Sequence, residues 1–346
     1  VSLRGGLIGC GFFAENHLNA WAGLEGAEIA ALCDLNPDRL AEIGHRFGIG
    51  AAYSDAADML TNEQLDFVDI ATTVSSHLPL VTLAAGHVAT IICQKPFAGK
   101  VHEAEAMVAA CADAGATLLV HENFRWQRAF VEMKRLVDQG LVGTPHFGRF
   151  AFRHGYDNYV NQPYLAEIER FAIMDVGLHL FDLTRLFFGE ATHLSCSTQR
   201  LNPAVRGEDA FTALVEHRSG ARSICDCSFY SVYDPEPFPN TAALIEGDQG
   251  TLELDRAFAL TVHTRSGRET LDLEPEVPRW GGKPWHGVQD SVVRFQRHAV
   301  DVMRGHGDPQ PSGADNIETL RLAIAAYEAA EGRRTIDMRN WQEARS

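Results

Sequence analysis

Leu7-Ile8-Gly9-Cys10-Gly11-Phe12-Phe13-Ala14 reads as the end of a strand, a tight glycine turn and the start of a helix. The spacing is G-x-G-x-x-A. The first glycine permits the turn, the second lets a pyrophosphate approach the backbone, and Ala14 lets helix and strand pack closely. The helix N-terminus adds N–H groups and positive potential suited to phosphate. A glycine motif alone is weak, and its bland alternative is a structural turn. Here the next apolar run, Glu28 to Cys33, ends on Asp34, 20 residues after Ala14. A carboxylate at that point accepts from the ribose hydroxyls of a dinucleotide. It would repel a 2′-phosphate, which favours NAD; the nearby Arg39 leaves NADP as the lesser alternative. Gly9, Gly11, Phe12, Phe13, Ala14 and Asp34 are therefore candidate cofactor residues.

Outward from this motif, strand and helix signals alternate up to residue 122. Pro37 to Phe47 reads as a helix, Phe67 to Ala71 as a strand, and Leu78 to Gly86 as a helix with Pro79 in its first turn. Val88 to Cys93 is a strand, Val101 to Gly115 a helix and Thr117 to Val120 a strand. Regular alternation with short loops predicts a parallel, doubly wound sheet. Thr72, Thr73 and His77, just past the third strand, are counted with the cofactor site.

Beyond His121 the pattern changes. Phe130 to Gln139 reads as an amphipathic helix closed by Gly140, Phe147 to Phe152 as a strand, and Ile173 to Phe188 as a helix ending at Gly189. Six strand-like runs follow: Leu194 to Thr198, Phe211 to His217, Ser223 to Phe229, Ala242 to Glu246, Thr251 to Leu254 and Leu260 to His263. Glu216 to Gly220 and Gly247 to Gly250 carry hairpin-turn chemistry. Val288 to Met303 and Asn316 to Ala330 read as helices. The chain thus divides into an α/β domain over 1–122 and an α+β domain with a large, mostly antiparallel sheet over 123–346. The C-terminal helix is able to pack back on the first domain. The proline-rich stretch Asp234 to Pro239 and the loop Pro278 to Pro284 are placed to fold over a cleft.

Composition agrees with a globular, two-domain protein: 346 residues, 45% hydrophobic and 22% charged. The net charge of −16 disfavours nucleic acid and anionic membrane as partners. No apolar run reaches the roughly 18 residues of a membrane span. Seven scattered cysteines without C-x-x-C read as reduced, buried thiols of a cytoplasmic protein. Cys225 and Cys227 share a strand face, but no histidine stands at metal-ligand spacing, so no metal is expected. The start has no basic segment or cleavage site. The first residue is not methionine, so an earlier removed segment stays open.

Two features point to chemistry. Gln94-Lys95-Pro96 closes a strand of the first sheet, and ligands of doubly wound sheets bind outside those ends. Lys95 there can face a nicotinamide and a reacting oxygen, with Gln94 beside it; alone it reads nearly as well as a surface lysine. Asp175 and His179 are i and i+4 on the expected 173–188 helix, so they share one face, which Asp182 extends. Their neighbours Met174, Val176, Leu178, Leu180 and Phe181 are apolar. A polar stripe among apolar residues needs partners or a cleft. A satisfied structural Asp–His pair is the plain alternative.

Taken together, the glycine motif, the strand ending in Lys-Pro and the D-x-x-x-H helix resemble the Gfo/Idh/MocA oxidoreductase family over nearly the whole chain. Asn123-Phe124-Arg125-Trp126 looks like its domain crossover, and Glu246-Gly247-Asp248-Gln249-Gly250-Thr251 like a strand-turn-strand of its second sheet. The family usually has Glu-Lys-Pro; Gln94 departs from that and removes a negative charge beside Lys95. The resemblance implies NAD-dependent hydride transfer from a sugar or polyol, with Lys95, Asp175 and His179 as catalytic residues. His179 or Lys95 is the base. Gln94, Glu122 to Trp126, Gln162-Pro163-Tyr164 and Arg200 to Pro203 resemble a subgroup acting on an apiose-like aldose, oxidised at its anomeric carbon to a lactone. An inositol or other polyol is the rival substrate, and a non-catalytic NAD-binding regulator or an NAD-dependent glycosidase the rival class. Arg125, Arg153, Tyr156, Asp157, Tyr164 and Arg170 are candidate readers of substrate hydroxyls, and Trp285 and His286 candidate covers. A homodimer or homotetramer formed through the second sheet is expected.

Overall fold

The computed structural model describes residues 2–343. It resolves into two compact units. The first unit joins the chain up to Asn123 with Ser291–Leu320, and the second joins Phe124–Asp290 with the chain from Arg321 on.

The first unit runs β1 (Leu3–Ile8), α1 (Ala14–Ala22), β2 (Ala27–Cys33), α2 (Pro37–Phe47), β3 (Ala51–Tyr53), α3 (Ala56–Asn62), β4 (Phe67–Ile70), α4 (His77–Ala85), β5 (Thr90–Gln94), α5 (Val101–Ala114) and β6 (Thr117–His121). The strands form one parallel sheet in the order β3-β2-β1-β4-β5-β6. That order reverses between β1 and β4, the crevice where dinucleotides bind in such sheets. Local chemistry sets the helix starts. Asn36 caps α2 by accepting from the Asp38 and Arg39 N–H groups, with Pro37 at the first helical position. Asp55 caps α3 in the same way. Leu7, Cys10, Ala14, Leu18, Leu32 and Ile43 form a buried cluster that seats α1 on the sheet.

The second unit begins with a 3-10 turn, Phe124–Trp126, then α6 (Arg128–Asp138) and β7 (Pro145–Arg153). A π-helical turn, Ile173–Gly177, leads into α7 (Leu178–Phe188). Next come β8 (Ala191–Gln199), β9 (Ala210–His217), β10 (Arg222–Ser228), β11 (Ala242–Gly247), β12 (Gly250–Leu254), β13 (Ala259–Thr264) and β14 (Gly267–Asp272). The chain then passes through α8 (His286–Met303), which from Ser291 on belongs to the first unit, and α9 (Gly313–Gly332), which belongs to the first unit up to Leu320, and ends its strands with the short β15 (Ile336–Asp337). The nine strands pair in the order β14-β13-β12-β11-β7-β10-β9-β8-β15. Every pair is antiparallel except β7 with β10. The mostly antiparallel expectation is met, with one parallel pair that hairpin signals do not announce. Gly148, Phe150 and Phe152 turn one sheet face inward, and Phe188 of α7 packs against that face. The opposite face carries Leu214, Ile224 and Leu244 among the charged Arg149, Glu216 and Glu253. Among the described residues no helix is long and apolar enough to cross a membrane.

Candidate functional site

In the first unit, Gly9 adopts φ +97°, a left-handed conformation that glycine tolerates. A Cβ there would lie 2.7 Å from the Ala71 carbonyl oxygen. Gly11 faces open space, with nothing within 4 Å of an added Cβ. The start of α1 has no side-chain cap. This open, backbone-lined cradle at a helix N-terminus suits a pyrophosphate. Phe12 is about half exposed beside it, and Phe13 packs edge-on against His17. Asp34 stands at the end of β2. One carboxylate oxygen accepts the Cys10 N–H at 2.6 Å and the other the Asn36 N–H at 2.7 Å. The residue expected to bind ribose thus also braces the glycine turn. The residues present fit NAD.

Behind the turn, Asp69 of β4 is fully buried and accepts from His17 Nδ1 and Trp21 Nε1, both at 2.8 Å. Two residues of α1 are thereby tied to the sheet, a fastening that the sequence reading missed. Thr72 and Thr73 sit just past β4, where the Thr72 hydroxyl accepts from Ser76. His77 is fully buried, its ring nitrogens lie 3.1 and 3.2 Å from the Phe97 and Thr72 carbonyls, and burial keeps its pKa low. The neutral ring has one N–H to give, so it donates to one of these two carbonyls at a time. Gln94 is buried at the end of β5, and its Oε1 accepts the Lys95 backbone N–H at 2.7 Å. The acceptor that a glutamate would offer is kept, and only its charge is lost. Lys95 follows at the strand's carboxyl end, through a cis peptide to Pro96.

In the second unit, Asp175 lies on the π-helical turn and His179 in the first turn of α7. A single α-helix from Ile173 is therefore not what forms. Single π turns inside helices recur at functional sites. Glu208 anchors this turn by accepting from the Phe171 and Ile173 N–H groups. The Tyr327 hydroxyl donates to the same carboxylate at 2.7 Å. Burial, and then the Glu208 charge, push the Tyr327 pKa well up, so the phenol stays a donor.

His179 is buried and stacks flat on Phe124, centroids 3.8 Å apart and planes within 3°. Arg125 grips the next polar residue on that face: its Nε donates to Asp182 at 2.7 Å and its Nη2 to the other oxygen. The crossover turn therefore holds α7. Arg125 thereby supports the helix.

The remaining substrate candidates lie in the same unit. Arg153 and Arg149 share Asp226. Tyr156 stacks on Phe238, whose ring meets Trp285 edge-on at 5.0 Å, so the proline loop and the later loop join in one aromatic cluster. Asp157 is exposed and caps its own turn at Tyr159. The Tyr164 hydroxyl bonds Gln162, and Arg170 lies over the Tyr327 ring. His286 packs beside Phe258, 3.2 Å from Glu274.

One residue went unread in the sequence. His154 is 1% exposed among Phe152, Phe229 and Phe238. Its Nδ1 accepts the Tyr156 N–H at 3.2 Å, which leaves the proton on Nε2, an atom without a hydrogen-bond partner. Burial lowers its pKa to about 4, while the charge of Asp175 pulls the other way. It is thus a neutral donor near Asp175. The unfolded chain binds a proton near pH 6.5 and the folded one only near 4. Stability is therefore full above about pH 6.5 and falls between these values, by up to about 1.4 kcal/mol per pH unit. His154→Phe should flatten that acid slope in urea denaturation at pH 7 and pH 5. An unchanged slope would remove His154 as its source.

Residues 3–122 match the Gfo/Idh/MocA oxidoreductase family, NAD-binding Rossmann fold, and residues 130–253 its C-terminal domain. The chain is 48% identical to D-apiose dehydrogenase of Paraburkholderia graminis, over 97% of this chain and 90% of that protein. It is 46% identical to D-apiose dehydrogenase of Rhizobium rhizogenes, over 98% of each. A crystal structure of an oxidoreductase from Agrobacterium radiobacter, in complex with NAD+, L-tartaric acid and magnesium, superposes with a TM-score of 0.96 at 46% identity. That match covers 98% of this chain and 99% of the other. The chain belongs to the Gfo/Idh/MocA oxidoreductases and is an NAD-dependent dehydrogenase acting on a CH–OH group.

Proposed function

We propose that the protein oxidises D-apiose, or a closely similar aldose, at its anomeric carbon to the lactone. The near half identity to two D-apiose dehydrogenases along the full chain carries this reading. NAD+ supplies the hydride acceptor. His179 takes the proton of the anomeric hydroxyl, the general-base role that an imidazole side chain most often fills. Asp175 orients substrate and imidazole. Lys95 donates to the same oxygen and favours its developing negative charge. His154 offers its neutral Nε2–H to a further hydroxyl. Tyr156 and Arg153 are the other polar groups we assign to the sugar. Lys95 as base is the alternative assignment.

We further propose a cytoplasmic location and an oligomer. Seven free thiols, six of them buried, suit a reducing compartment. Leu214, about 40% exposed on the open sheet face, with Ile224 and Leu244 nearby, suits pairing with a second copy.

Turnover of purified protein with NAD+ tests the substrate. D-Apiose should give NADH and a lactone that hydrolyses to an acid. Inositols should show kcat/KM at least about tenfold lower, a difference of about 1.4 kcal/mol in transition-state binding. Efficient turnover of inositols to ketones, with no aldose accepted, would overturn the proposal.

A further inference from the structure

The preference for NAD has a second component beyond Asp34. Both sides of Cys10 in the glycine turn are held. Its N–H goes to Asp34, and its carbonyl accepts from Arg39 Nε at 3.2 Å and Nη2 at 2.8 Å. The arginine therefore holds the same turn residue as the carboxylate expected at the ribose. In NADP-binding relatives of this fold, an arginine near that point takes the 2′-phosphate. Here the guanidinium is occupied on its other edges. Nη2 also meets Glu15 at 3.0 Å, and Nη1 meets Glu42 at 2.8 Å. Glu15 is in turn held by Arg46 at 2.5 Å. Burial works against the Glu15 charge, but hydrogen bonds from Arg46 and Arg39 outweigh it and keep the carboxylate ionised.

We propose that Glu15 is a specificity-determining residue: with Glu42 it holds Arg39 on the Cys10 carbonyl and so withholds from NADP the cation best placed for its 2′-phosphate. Two carboxylates on one guanidinium leave little positive potential for an incoming dianion. The group that could reverse the cofactor preference is thus spent on bracing the turn. The inference concerns the dinucleotide site alone and stands whichever sugar is oxidised.

Equilibrium binding of NADH and NADPH, followed by nucleotide fluorescence, tests it without turnover. Glu15→Gln should tighten NADPH roughly fivefold, the scale of one partly exposed ion pair, and change NADH less than twofold. Glu42→Gln, at a more exposed position, should act in the same direction and more weakly. Asp34 is intact in all variants, so its repulsion cancels in the comparison. The decisive protein is Glu15→Gln/Arg39→Met. If Arg39 receives the phosphate, the gain disappears in this double variant. Persistence of the gain would mean simple loss of negative charge and would overturn the proposal. So would equal shifts for both nucleotides, or no tightening of NADPH in either single variant.

Discussion

Alanine at Lys95 or at His179 is expected to lower kcat by roughly 10²-fold or more, with NAD affinity little changed. Oxidation of a hydroxyl-bearing carbon needs two departures at once, a hydride from carbon and a proton from oxygen. A positioned base contributes about 10² to 10⁴ to such a step. His179 is held for that task by the flat face of Phe124 and by burial that leaves the ring 3% exposed. Lys95 follows the strand that ends at Gln94, whose side-chain oxygen accepts the lysine backbone N–H. Neither residue belongs to the glycine turn or to Asp34, so cofactor binding should survive both changes. Fluorescence quenching by NADH measures that affinity, and steady-state turnover measures the loss. The pH profile then separates the two assignments. If His179 is the base, the acid limb of kcat vanishes in His179→Ala and persists in Lys95→Arg. Near wild-type turnover in either alanine variant would remove that residue from the chemistry.

The first unit was legible because its signals are local. A glycine turn, an acid at a strand end and apolar runs of four to six residues each act within one βα step. β3 and α3 escaped because Ala51-Ala52-Tyr53 is only three residues long and Asp55 caps a helix of only seven residues. In the second unit β14 escaped for the reverse reason: it is a polar edge strand, and Gly267 to Thr270 face water. The pairing of β7 with β10 joins residues more than 70 positions apart and leaves no hairpin signature. Asp175 and His179 were readable from their i, i+4 spacing, but the π turn beneath Asp175 was not. It depends on Glu208, far along the chain. His154 was missed because its interest lies in what surrounds it. A histidine at the end of a strand is unremarkable until three aromatic rings exclude water from it.

The Arg125–Asp182 pair makes the sharpest demand on stability. Asp182 is fully buried and Arg125 nearly so, with two hydrogen bonds between them. Removing one partner of such a pair leaves the other's charge in a poorly solvated place, at a typical cost of about 3–5 kcal/mol. Arg125→Ala should therefore lower the free energy of unfolding of the second unit by that amount, read as a lower urea midpoint. Desolvating the two ions offsets much of their attraction, so breaking the pair costs more than the pair contributes. Replacing both, as Arg125→Met/Asp182→Leu, should recover most of the loss. The recovered protein is the informative one. Phe124 sits next to Arg125, and His179 lies one turn before Asp182, so the pair sets the register of the Phe124–His179 stack. In the double variant, stability should return while kcat stays depressed, because an apolar contact does not fix the helix as a two-point ion pair does. Full recovery of kcat along with stability would show that the pair serves folding alone.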